Sequence, residues 1–306
     1  MNVTITPRGT RRPAVAIAVL AALAIAGCHD PETDPTGREQ PSTVAGDLTP
    51  GESALLDRAE QLLIRDCMRR RGFEYTVVSR TTILENRDFP YGVSDVAWAR
   101  KHGYGTDLRR RQDRTVRAEP NARRLDRMPA PARAAALSAL NGVPGAGSDL
   151  SAVLPSGVTT RRSADSCTSE AQRVLYGDLR TWYRAERVTD NLADLRIHLV
   201  HRDPRYRRGV AAWSRCMGDA GRPYESPAHT LEAALTARPP MPRDREITLA
   251  VTEATCAART GLTATATDLD RRYAREVEAR YAADLADRRR LRHDALPRAR
   301  AVVLAG

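Results

Sequence analysis

Lysine is almost missing from this chain. Lys101 is the only one among 306 residues, so 48 of the 49 basic side chains are arginine. Codon usage in a guanine-cytosine-rich genome produces that bias unaided. The formal net charge of +11 is therefore weak ground for nucleic-acid binding, and none is expected. Phenylalanine is nearly absent too, with only Phe73 and Phe89. Alanine and leucine dominate the apolar set, which favours helices over sheets. Long hydrophobic runs are lacking: the one unbroken run, Ala14 to Ala26, has 13 residues. A membrane-spanning helix needs about 20. The motifs of several enzyme classes are missing as well. There is no Gly-x-Ser-x-Gly elbow, and Gly145-Ala146-Gly147-Ser148-Asp149 is the nearest approach. Ser-x-x-Lys, His-Glu-x-x-His, a phosphate loop and a dinucleotide fingerprint are all absent. No catalytic residue, cofactor or metal site is expected.

What the chain does have begins at its start. Arg8, Arg11 and Arg12 precede the apolar run, and no acidic residue comes before Asp30. A basic start, a short apolar core and small residues at its end describe a secretory signal peptide. The run closes on Ile25-Ala26-Gly27-Cys28, which looks like a bacterial lipobox, cut before the cysteine and acylated on its sulfur. Residues 1–27 are then a lipoprotein signal peptide and Cys28 the lipidation site. An ordinary signal peptide or a buried apolar helix is the alternative. Arg11-Arg12 hints at twin-arginine export. Residues 28–50 carry Pro31, Pro35, Pro41 and Pro50 among polar residues and read as a solvated tether. Losing residues 1–27 lowers the formal net charge to +8. The expected location is the outer face of the cytoplasmic membrane, held there by the lipid anchor. A positive body at that place is drawn to anionic lipid heads or wall polymers.

Beyond Cys28 four cysteines remain: Cys67, Cys167, Cys216 and Cys256. Outside the cytoplasm disulfides persist, and four cysteines allow three pairings. Zinc is disfavoured because no two of the four are closer than 40 residues, and redox chemistry because Cys-x-x-Cys is absent. Two cysteines lie in matching phrases, RDCMRRRGFEY at 65–75 and SRCMGDAGRPY at 214–224. Both read Cys-Met, three residues, Gly, two residues, Tyr. The simplest arrangement is one bridge per copy, Cys67–Cys167 and Cys216–Cys256.

These signals imply an all-α body over 51–306 with minor β segments, made of two diverged, disulfide-stapled halves (about 51–190 and 191–306). Helices are expected over 52–71, 123–140, 165–191 and 192–201. Another begins at Asp203-Pro204, one at Ser226-Pro227 and one spans 243–260. Ser94 is the expected cap of a short helix over 96–105, and residues 73–83 read as a short strand. A hairpin is suggested around Ser156-Gly157. Leu269, Tyr273, Val277, Tyr281 and Leu285 mark a single last helix.

The strings RDCMRRRGFEY, KHGYG, SCTSEAQRVLYGD, WSRCMGDAGRPY and REITLAVTEATC resemble, in their order, those of uncharacterised actinobacterial secreted lipoproteins. The resemblance implies export, a lipid anchor and a helical body, and it assigns no functional residue. The expected role is a non-enzymatic binding or interaction module at the cell surface, with a protein or an anionic wall polymer as partner. Two rivals stand beside it. One is a wall-active hydrolase using two of Asp57, Glu60, Asp66, Glu253, Asp268 and Asp270. The other is electrostatic attachment through an arginine face. His198 and His201, three apart on a helix, read as surface side chains rather than metal ligands.

Overall fold

The computed structural model describes residues 46–78, 85–143, 145 and 149–306. The expected signal peptide, Cys28 and most of the tether lie outside the described residues. Helices α1 (Pro50–Arg70), α2 (Val96–His102), α3 (Thr106–Ala118), α4 (Pro120–Arg127) and α5 (Ala130–Asn141) come first. An antiparallel hairpin of β1 (Asp149–Val153) and β2 (Thr159–Ser163) follows, turning through Gly157. Then come α6 (Cys167–Tyr176), α7 (Leu179–Asp190), α8 (Leu192–Arg202), α9 (Pro204–Asp219) and α10 (Pro227–Thr236). Finally α11 (Arg243–Arg259) and α12 (Leu262–Arg280) lead to α13 (Ala282–Ala305). The fold is thus mostly helical, as the composition implies. No described helix is long and apolar enough to cross a membrane.

Local chemistry sets the ends of these helices. Thr49 and Glu52 form a capping box on α1, with Glu52 N donating to Thr49 Oγ1 at 3.2 Å and Thr49 N to Glu52 Oε2 at 2.9 Å. Asp203 caps α9 and Pro204 fills its first position, as expected. Asp95 rather than Ser94 caps α2, its carboxylate accepting from Trp98 N at 2.9 Å. Pro129 breaks the expected helix 123–140 into α4 and α5, because proline forces Met128 into an extended conformation. Gly177-Asp178 breaks 165–191 into α6 and α7, since Asp178 caps a new helix with its side chain. Residues 73–78 form no strand, and 79–83 fall outside the described residues. The supposed last helix is two, α12 and α13, meeting at Tyr281.

Both copies of the repeated phrase end in the same way. Phe73 N donates to Met68 O at 2.9 Å and Gly72 N to Arg69 O at 3.1 Å. In the second copy Arg222 N donates to Met217 O at 2.8 Å and Gly221 N to Gly218 O at 2.9 Å. Each is a Schellman stop around a left-handed glycine, φ 82° at Gly72 and 71° at Gly221. The first copy adds the apolar contact of that motif, since Phe73 packs in the cluster that holds Met68. Arg222 stands in its place in the second.

The cysteines pair as Cys67–Cys167 and Cys216–Cys256, with Cα–Cα separations of 5.5 and 5.7 Å, inside the usual disulfide range. Each bridge belongs to its own core. The first joins α1 to α6 beside Ile64, Met68, Ala139 and Ala171. The second joins α9 to α11 in the cluster of Trp213, Met217, Leu249 and Leu262. The partner positions differ: Cys167 opens its helix, whereas Cys256 lies in the last turn of α11. The likeness of the halves stops at the phrase.

Packing also departs from a cut at residue 190. Residues 93–108 contribute Val93, Trp98, Tyr104 and Leu108 to the core of the second half. Helix α13 returns to the first, where Leu291, Ala295, Leu296 and Ala299 pack with α1, α6 and α7. The described residues from 46 to 306 form one compact unit. Gly46 and Asp47 are docked within it: Arg289 Nε bonds Asp47 Oδ1 at 2.9 Å, and His293 Nε2 lies 2.6 Å from Gly46 O.

Candidate functional site: an aromatic cleft over a buried glutamate

The second core carries a cleft of about 680 Å³. Segment 87–93 forms one wall, α8 and the start of α9 another, and α10 a third. Phe89, Tyr91, Trp98 and Tyr206 supply aromatic surface, Ile197 and Leu231 aliphatic surface, and Arg87, Arg109, Asp194 and His201 polar tips. Tyr91, His201 and Tyr206 pack against one another with ring centroids 5.0 to 5.9 Å apart. Tyr91 also donates its hydroxyl to Asp270, which Arg196 pairs at 2.8 Å. Burial raises the Tyr91 phenol well above its ordinary value, so it stays a donor.

Glu253 of α11 closes the bottom and is 1% exposed. It ties three other elements together. Its Oε1 accepts from Val93 N at 2.7 Å, and its Oε2 meets Tyr104 Oη and Thr230 Oγ1 at 2.5 Å each. Thr230 also points at Pro227 O, 2.8 Å away, yet a hydroxyl has one proton to give. When Thr230 gives that proton to Pro227, Glu253 Oε2 must carry its own. Burial works in the same direction and raises the Glu253 carboxyl to about 7. One helical face and seven residues away, Glu246 accepts from Tyr104 N at 2.9 Å and Thr106 Oγ1 at 2.6 Å.

The wall depends on Gly92. Its φ is 100°, and a Cβ there would stand 2.6 Å from Pro227 Cβ and 2.9 Å from Glu253 Oε1. Gly92→Ala should lower stability by about 2 kcal/mol or more. Urea unfolding should show an earlier midpoint at unchanged slope; an unshifted midpoint would mean the wall can relax.

The acids singled out in the sequence scatter. Asp66 pairs with Arg65 and Arg69, Asp268 with Arg271, and Asp270 with Arg196. Glu60 is half-buried and bonded by Gln172 Nε2 at 3.1 Å, and burial raises its carboxyl to about 7. Glu253, one of the candidate hydrolase acids, is interior. His198 and His201 are exposed: His201 Nε2 lies 3.0 Å from Pro90 O, and His198 Nε2 is 3.4 Å from Arg202. No group of three or more metal-ligating side chains occurs among the described residues. Tyr273 bonds Asp203 Oδ2 at 3.0 Å and flanks the core.

Comparison with family models, with curated proteins and with solved structures finds no match to this chain.

Proposed function

We propose that this protein is a lipoprotein anchored through Cys28 at the outer face of the cytoplasmic membrane, and that it works there as a binding module rather than an enzyme. The observation that carries the reading is the cleft itself, an aromatic and arginine-tipped groove of about 680 Å³ on a disulfide-stapled body. Binding sites combine such apolar walls with a few polar tips. Glu253 supports binding over hydrolysis. A carboxylate-pair hydrolase needs an acid that reaches the scissile bond, whereas this one is buried and turned to three protein groups. Its role in the reading is to fix the cleft walls.

Crosslinking in intact cells, followed by pull-down, tests the proposal. Wild type should recover a specific protein or wall-polymer partner. Leu231→Arg, which fills the groove from the exposed side of α10 with little cost to folding, should lose it. Cys28→Ala should leave the membrane fraction. The same partners on Leu231→Arg would remove the cleft from the account, and a Cys28→Ala protein that stays membrane-bound would remove the anchor.

A further inference from the structure

Helix α3 touches little of the fold. Leu108 is its only buried residue, and the ten residues 109–118 are all exposed. Helix α4 after it buries none. Isolated helices of this length are marginal, and a helix polar all round gains little from its own fold. Yet the pair is not compositionally neutral. Residues 106–127 hold eight arginines and four acids. Two of those acids are spent within the fold: Asp107 on His102 at 3.0 Å and Arg243 at 3.5 Å, and Glu119 on capping α4 at Ala122 N. Arg110, Arg114 and Arg117 recur at i, i+4 and i+7, so they share one stripe of α3. Among the described residues none of the three has an ion-pair partner, and neither does Arg127 of α4. At the α4 end, Arg123, Arg124 and Arg127 border an open hollow of about 660 Å³.

We propose that the α3–α4 arm is a docking surface for the phosphate groups of an anionic lipid bilayer. Guanidinium groups pair with phosphate in two-pronged fashion and remain charged at any physiological pH. A stripe of three unpaired arginines on an otherwise uncovered helix offers that chemistry to a flat surface. The choice of a bilayer rests on the anchored reading above, because an acyl-tethered body has membrane phosphate as its nearest anionic neighbour. The arm is then a second, electrostatic attachment that sets how the body lies on the membrane.

The test uses the full chain carrying Cys28→Ala, with phosphatidylglycerol–phosphatidylcholine vesicles and phosphatidylcholine vesicles in co-sedimentation. At about 1 kcal/mol per basic side chain near an anionic surface, Arg110→Gln/Arg114→Gln/Arg117→Gln should weaken partitioning onto the anionic vesicles roughly 100-fold. Binding of the parent should fall with added salt. Removing the same charge from the exposed face of α9, through Arg207→Gln/Arg208→Gln/Arg215→Gln, should leave most of the binding in place. Equal losses in the two triple variants would overturn the proposal, as would retained binding in the α3 variant. Capture of soluble polyphosphate by the arm with no vesicle binding would overturn it in favour of a phosphate polymer. Acylation of Cys28 is read separately, from the mass of the exported protein, so failure of the anchor and failure of the arm are distinct results.

Discussion

Replacing both Cys67 and Cys167 by alanine should make the oxidised protein about 4 to 5 kcal/mol easier to unfold. The bridge closes a sequence separation of 100 residues, and the loop-entropy relation gives a stabilisation of that size through the unfolded chain. Packing adds to it. Both cysteines are at most 1% exposed, and they sit against Ile64, Met68 and Ala171, so losing two sulfurs leaves unfilled space in the first core. The second bridge spans 40 residues and includes the half-buried Cys216, so its removal should cost less, about 4 kcal/mol or under. Urea unfolding with and without reductant separates the two. The reduced wild type should resemble the quadruple variant, and a pair of removals without effect on the midpoint would show that the cores hold without their staples.

The second large effect is a pH dependence centred on Glu253. Burial raises its carboxyl from the ordinary 4.5 to about 7 in the folded protein. Folding therefore favours its protonated form. The stabilisation is fully present below the unfolded value and is lost as pH rises through about 7. The whole change is worth about 3 kcal/mol. The groups that face this carboxyl are the Val93 amide, the Tyr104 phenol and the Thr230 hydroxyl, and Tyr206 lies near enough to feel its charge. Both phenols are raised by burial, so neither ionises in this window. Glu253→Gln keeps the shape and the neutral state. It should match wild type near pH 4.5 and exceed it near pH 8 by up to about 3 kcal/mol in urea unfolding. Glu60 also titrates near 7 and moves both proteins alike, so the difference between them isolates Glu253. A difference that stays constant with pH would mean the carboxylate is satisfied when charged.

Particular residues show what the sequence could and could not disclose. Punctuation was legible where a side chain acts on its own backbone: Asp203-Pro204 opens α9, Gly72 and Gly221 stop their helices, and Gly157 turns the hairpin. The choice of one bridge per phrase matched the packing because each core forms locally around its own staple. Of the breaks inside helical stretches, the one at Pro129 had a local signal in the proline itself, and the others had less. Asp178 is an ordinary polar residue until it caps a helix, and Tyr281 marks a change of partner, α12 turning to α8 and α9 and α13 to α1 and α7. The chain's long-range exchange, with residues 93–108 in the second core and α13 in the first, leaves no local trace. Glu253 did leave one. It shares a helical face with Leu249, Ala250 and Ala257, and a glutamate on an apolar stripe signals an internal partner. Its donors, Val93, Tyr104 and Thr230, are scattered from 160 to 23 residues away and had no such signal.

The account stands on an oxidised body in which each core carries its own bridge. Peptide mapping of the exported protein under non-reducing conditions tests that directly. It should yield one peptide pair linking Cys67 to Cys167 and another linking Cys216 to Cys256. Free thiols at these positions, or a linked pair joining Cys67 to Cys216, would contradict it.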